Sequence, residues 1–108
     1  MKTAKMVSLM RRRAGVSREE FQRWWREDHA PIARRIPGLR RYVLSFPADP
    51  DAYFDGMAEL YFDDVEAARS CFASEEGRAA REDSLAHAGE RITMVMAENE
   101  LPVAPASG

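Results

Sequence analysis

The sequence predicts an α+β fold in the order β-α-β-β-α-β, a four-stranded antiparallel sheet with helices on one face. Three observations carry this. Four short segments alternate along the chain with the period of a strand. Two longer blocks repeat apolar residues with the period of a helix. Each helical block follows a strand and opens on a capping residue. At 108 residues, 45% hydrophobic and 31% charged, the chain has the length and composition of one globular domain. We place that domain at residues 1–100 and read 101–108, "LPVAPASG", as a C-terminal tail without periodicity.

Residues 4–12, "AKMVSLMRR", form the first strand, with Met6, Ser8 and Met10 on one side and Val7 and Leu9 on the other. Ser17 and Glu20 make a capping box, and Val16 and Phe21 a hydrophobic staple, so a helix starts near residue 18. Phe21, Trp25, Ile32 and Ile36 recur along its apolar face. Pro31 predicts a kink or restart, and Pro37-Gly38 the stop. Residues 39–46 form the second strand, with Arg40, Tyr42, Leu44 and Phe46 on one face. The segment "PADPDAYFDG" is a loop, either a lid or a turn with partly buried aromatics.

"MAELYF" at 57–62 is the third strand, with Met57, Glu59 and Tyr61 opposite Ala58, Leu60 and Phe62. Asp63 or Asp64 caps the second helical block, in which Val65, Ala68 and Phe72 share a face and an interruption falls near Gly77. Residues 91–98 form the fourth strand. Strands one and four carry apolar residues on both faces, whereas a sheet covered on one side only should be polar on the other. A copy of the same sheet is the simplest cover, which predicts a homodimer through sheet faces.

Several function classes are disfavoured. The formal net charge of −2 gives no general attraction for nucleic acid or acidic membranes, and the run Arg11-Arg12-Arg13 has no interleaved aromatics and reads as a solvated strand end. No segment has the length and apolarity of a membrane span. One cysteine, Cys71, excludes an internal disulfide and fits a cytoplasmic location; it reads as an inert packed thiol. Two histidines without ligand spacing give no metal site.

The blocks "SREEFQRWWREDHAPIARRIPGLRRY", "FDDVEAARSCFASEEGRAA" and "MVMAEN" resemble the EthD family of dimeric α+β barrel proteins. The resemblance implies a ferredoxin-like protomer whose sheet pairs face to face with a second protomer. It also implies a pocket between the helices and the open end of the sheet. Related barrels include lactone isomerases, cofactor-independent monooxygenases, haem-degrading enzymes and ligand binders, so the fold does not choose the reaction. The stretch "DSLAHAG" places His87 where the family usually has an aromatic residue.

His29 shares the apolar face with Trp25 and Ile32 and occupies the recurrent H-x-P position of the family. It is the candidate general acid or base; a structural histidine near the Pro31 kink is the alternative. Glu59 and Tyr61 are candidate catalytic companions, with an interface-paired glutamate and a core tyrosine as the alternatives. Trp25, Ile32, Tyr42, Phe46 and His87 are candidate substrate-binding residues, and Trp24 is expected at the helix flank or against the tail.

The leading functional expectation is a small enzyme of isomerase or lyase type, without metal or organic cofactor. It would act on a hydrophobic, oxygenated cyclic substrate. The alternatives are a non-catalytic binding or accessory protein of an oxidoreductase pathway, and a cofactor-free or haem-dependent monooxygenase.

Overall fold

A computed structural model describes residues 3–106, and its order matches the reading: β1 (Ala4–Arg12), α1 (Arg18–Trp24), a wide helical turn (Trp25–His29), α2 (Ala30–Ala33), β2 (Arg41–Ser45), β3 (Gly56–Phe62), α3 (Val65–Arg69), α4 (Glu75–His87) and β4 (Ala88–Ala97). The strands lie in the order β2-β3-β1-β4, all neighbours antiparallel. This is the split βαβ arrangement of the ferredoxin-like fold. No helix among the described residues is long and apolar enough to cross a membrane.

Register assigns the two faces. Met6 pairs with Leu60 and Val95, Ser8 with Ala58 and Thr93, and Met10 with Gly56 and Arg91. These residues face the helices, and Met6, Met10, Phe21, Trp25, Ile36, Leu60, Phe62 and Ala80 form one core with them. The opposite face carries Lys5, Val7, Leu9, Met57, Glu59, Tyr61, Ile92, Met94 and Met96. No helix covers it, and Ile92, Met94 and Met96 stay 40–42% exposed.

The first helical block differs from expectation in a way that matters for the site. Ser17 caps α1 as predicted, its hydroxyl accepting the Glu20 N–H at 3.1 Å. Of the kink or restart expected at Pro31, the structure has the restart, with α2 beginning at Ala30. The helix widens one turn earlier, over Trp25–His29, where the Ala30 N–H bonds the Trp25 carbonyl five residues back. Pro31 then sits in the first turn of α2, where a missing N–H costs little. The widened turn inserts one residue and rotates everything after it. Trp24, the last residue before the turn, is buried and does not lie at the flank or on the tail. The block ends at Ala33, before the predicted stop, and Gly38 makes the following turn at φ +82°.

The second block is also divided elsewhere than predicted. Asp64 caps α3, and the interruption spans residues 70–74, with Ser74 capping α4 by accepting the Gly77 N–H at 2.9 Å. Gly77 lies inside α4. A Cβ there would stand 2.1 Å from the Cys71 carbonyl oxygen, so glycine permits this close approach and is not a helix breaker. Strand β4 starts earlier than predicted, at Ala88, directly after His87.

The loop between β2 and β3 is clamped. Asp55 is fully buried. Its carboxylate accepts the Arg12 backbone N–H at 2.6 Å, the Arg18 Nε–H at 2.9 Å and the Arg12 guanidinium. Arg18 also donates to the carbonyls of Asp49 and Ala52. Burial alone would raise the Asp55 carboxyl; these donors outweigh it and hold it below the usual carboxylate range. The two open readings of the loop, lid or turn, thus resolve to a pinned turn. Asp55→Ala leaves two guanidinium groups and an N–H without their partner. It should cost about 3–5 kcal/mol in urea unfolding; a change below about 1 kcal/mol would show that the clamp is not a structural anchor.

Candidate functional site

The widened turn decides where His29 points. In a regular helix it would stack over Trp25; with one extra residue in the turn it lies against Trp24, ring centroids 5.0 Å apart. Trp24 is held on its other sides by Phe21 at 5.2 Å and His87 at 4.6 Å. His29 is 5% exposed. It reaches α4, where Nδ1 lies 2.8 Å from Asp83 Oδ2 and Nε2 lies 3.3 Å from Ser84 Oγ. The arrangement satisfies both nitrogens when Nδ1–H donates to the carboxylate and Nε2 accepts from the hydroxyl. Nε2 is then the basic atom, beside the cavity.

That cavity lies between the helices and the sheet. Besides His29 and Ser84 its walls include Ser8, Trp25, Tyr42, Leu60, Phe72 and Arg91. Its volume is about 20 Å³, space for one water molecule. Burial pushes the His29 pKa below its ordinary value. The Asp83 hydrogen bond and charge act in the opposite direction, and the charges of Arg91 and His87 reinforce burial. Burial also raises the Tyr42 hydroxyl to about 12, with the Trp25 indole N–H opposing the rise without forming a hydrogen bond of good geometry. His29 is therefore neutral and Tyr42 protonated at neutral pH, a base and a donor lining one space.

Of the residues singled out in the sequence, the structure gathers His29, Trp25 and Tyr42 around this cavity. The others lie elsewhere. Ile32 is partly buried, and the inserted turn puts Ala33 on the wall in its place, beside Ile36. Phe46 packs edge-on against Trp25 at 6.0 Å, and with Leu9, Tyr53, Phe54 and Met57 it lines a separate apolar groove of about 390 Å³. His87 stacks on the far side of Trp24, half-exposed, and donates from Nδ1 to the Asp83 carbonyl at 2.9 Å. Glu59 and Tyr61 lie on the uncovered face of the sheet, with the sheet between them and His29. There the Lys5 ammonium donates to Glu59 at 2.6 Å, to Glu98 at 3.1 Å and to the Tyr61 hydroxyl at 3.4 Å. These contacts raise the Lys5 pKa, the hydrogen bond to Glu59 contributing most.

Asp83, Ser84 and Arg91 were not anticipated. The legible signal for α4 was the small-residue series Gly77, Ala80, Ser84, at helical spacing and all buried. A stripe of small residues lets a second element approach closely, and His29 is what approaches. Cys71 is buried, and burial raises its thiol to about 11, as expected of an unreactive sulfur. Among the described residues no group of three or more His, Cys, Asp or Glu is placed to hold a metal ion.

The EthD domain matches residues 13–88, which include the first helical block, the β2–β3 pair and all of α4. The chain belongs to the EthD family. An uncharacterised 11.0 kDa protein from the thcB-thcC intergenic region of Rhodococcus erythropolis is 29% identical over 84 residues, covering 74% of this chain and 81% of that protein. The crystal structure of an EthD family protein from Bacillus halodurans is 27% identical and superposes with a TM-score of 0.75, covering 94% of this chain and all of that one.

More distant structures share the fold alone. A dimeric ferredoxin-like protein from Thermobifida fusca is 15% identical, with TM-score 0.70 and coverage of 90% and 92%. The hydroxynitrile lyase of Passiflora edulis is 12% identical, with TM-score 0.73 and coverage of 94% and 98%.

The lowered pKa of His29 makes the stability of this EthD domain depend on pH. The folded-state pKa of His29 lies below its unfolded value of about 6.5. Between the two, the unfolded chain binds the extra proton, so the contribution of neutral His29 is complete above pH 6.5 and declines as pH falls through that window. The NMR titration midpoint of His29 should lie below 6.5. In Asp83→Asn it should fall further, because the group that favours the imidazolium is gone. An upward move in that variant would contradict the assignment of causes.

Proposed function

We propose that this EthD domain is a small enzyme in which neutral His29, oriented by Asp83, transfers a proton to and from a hydrophobic, oxygenated cyclic substrate. The supporting observation is the His29 geometry: one nitrogen held by a carboxylate, the other beside a cavity wall carrying the hydroxyls of Ser8, Tyr42 and Ser84. Asp83 fixes the tautomer and ring plane, and it stabilises the imidazolium formed when Nε2 takes a proton. That proton comes from a carbon or hydroxyl next to a substrate carbonyl. Its return at a second position completes an isomerisation; its return to a departing group completes an elimination. Tyr42, kept protonated by burial, is the donor available to the carbonyl oxygen. A hydroxynitrile lyase of the same fold makes proton-transfer chemistry on this scaffold reasonable, by analogy of fold alone.

Space for one water does not accommodate a ring. Tyr42, Phe72 and Arg91 are the wall residues left partly exposed, and Phe72 stands on the link between α3 and α4. Its displacement would open the cavity to solvent. A second reading, a binding protein without turnover, is favoured by the apolar groove, which at about 390 Å³ is already of ligand size. Incubating the protein in D₂O with cyclic lactones, hydroxyketones and hydroxynitriles separates the two. Solvent deuterium should enter at least one of them, and His29→Ala should slow this by about 10²–10⁴-fold. Exchange that survives in the variant would remove His29 from the chemistry; ligand binding at the groove without exchange would support the second reading.

We also propose that the uncovered sheet face pairs with a second copy of the chain. Val7 and Leu9 stand between Met57 and Glu59 on one side and Ile92 and Met94 on the other, an apolar surface with Lys5, Glu59 and Glu98 at one end. The dimeric relative from Thermobifida fusca supports this reading. Light scattering should give the mass of a dimer, and Met94→Glu, which places a charge mid-face, should give a folded monomer. A wild-type monomer at micromolar concentration would overturn the proposal.

A further inference from the structure

Among the described residues Arg91 has no counter-charge. It stands on β4 opposite Met10, on the helix-covered face, and its side chain lines the cavity that His29 lines. Among the described residues its guanidinium makes no hydrogen bond and no ion pair, and its Nε is buried without a partner. Arginines that likewise lack a partner among those residues, such as Arg23, Arg34, Arg35, Arg78 and Arg81, are exposed to water, and the more buried ones are engaged. Arg12 and Arg18 share Asp55, Arg40 pairs with Asp63, and Arg13 donates to the carbonyls of Leu85 and Ala88. Arg91 meets only the Phe72 ring, 5.2 Å from its guanidinium carbon.

The surroundings compensate only weakly, through the Phe72 ring and the Cys71 sulfur. Burial and the charge of Arg81 both disfavour the Arg91 cation. A partly buried charge without a partner costs free energy that the fold alone does not recover. Pairing of the uncovered sheet faces does not help, because Arg91 is on the other side of the sheet. An anion arriving from solvent does, and guanidinium is the side chain whose planar fork matches a carboxylate. The remaining wall is largely apolar, with Met10, Ile36, Leu60 and Phe72 beside the hydroxyls of Ser8, Tyr42 and Ser84, and the partly exposed Phe72 and Arg91 are in contact at its edge.

We propose that Arg91 is the docking group for a carboxylate on the substrate. The His29 site then acts on a hydrophobic monocarboxylate, its acid group at the Phe72–Arg91 mouth and its ring directed towards His29. This rests on the reading of the His29 cavity as the reaction site, and it narrows the substrate from an oxygenated ring to an anionic one.

The test compares benzoate with benzamide, its neutral counterpart of nearly the same shape, by two-dimensional NMR at pH 8. At that pH His29 is neutral and Arg91 remains the cation of the cavity. Benzoate should shift the Trp25 indole and His29 signals saturably, and benzamide should bind at least about tenfold more weakly. Arg91→Gln should lose that preference, and Arg91→Lys should retain part of it. If Arg91→Gln does not fold, the benzoate-to-benzamide ratio of the wild type and the Arg91→Lys variant decide.

Equal binding of the two probes, no saturable benzoate shift, or shifts confined to Tyr53 and Phe54 of the separate groove would each overturn the proposal. His29→Ala distinguishes the two claims. A variant that still selects benzoate but keeps full deuterium exchange sinks the proton-transfer reading and leaves the Arg91 site standing. Loss of exchange in that variant, with no preference for benzoate in the wild type, sinks the Arg91 site alone.

Discussion

The contact between His29 and Asp83 joins the two helical blocks across the top of the sheet, and the geometry of the site depends on it. It exists because the first block widens at Trp25–His29. Without the extra residue His29 would lie along the Trp25 row and Ile32 would face the sheet. With it, His29 packs on Trp24, whose other face meets His87, and reaches α4, and Ala33 joins Ile36 on the cavity wall. Burial then opposes protonation of the imidazole while Asp83 favours it, so the base stays neutral yet is oriented by a carboxylate.

The other side of the cavity is held by the Asp55 clamp. Asp55 ties the end of β1, the start of α1 and the loop before β3 into one unit. The next residue, Gly56, lets Trp25 and Phe46 come against the backbone, since a Cβ there would lie 2.7 Å from the Trp25 ring. Trp25 is thereby fixed from both ends, by the widened turn and by β3. The two faces of the sheet carry different duties. The helix-covered face holds Tyr42, Ser8 and Arg91 for the cavity, and the uncovered face holds the Lys5–Glu59 pair among exposed methionines.

Much of the architecture was legible because local and long-range signals agree. The Ser17 cap and the alternation in each strand predicted the elements that form, and apolar residues on both faces of β1 and β4 marked a sheet with one face uncovered. The errors share a physical origin. Helical periodicity assumes 3.6 residues per turn, so one widened turn exchanged Ile32 for Ala33 and set His29 against Trp24, while Trp25 and Ile36 stayed on the buried face as expected. Strand pattern separates two faces but does not say which one the helices take, and Glu59 and Tyr61 were grouped with His29 on that account. Asp83 and Arg91 gave no local signal. Each is one charged residue among several, and its meaning comes from what it faces across the fold, or from the partner it lacks.

The central claim is that His29 presents a bare Nε2 to the cavity while Nδ1–H is bound by Asp83. Nitrogen NMR of imidazole-labelled protein at pH 7.5 tests this directly, because protonated and bare ring nitrogens resonate in separate ranges. The account predicts a protonated Nδ1 and an unprotonated Nε2. The opposite tautomer, or an imidazolium at that pH, would contradict it.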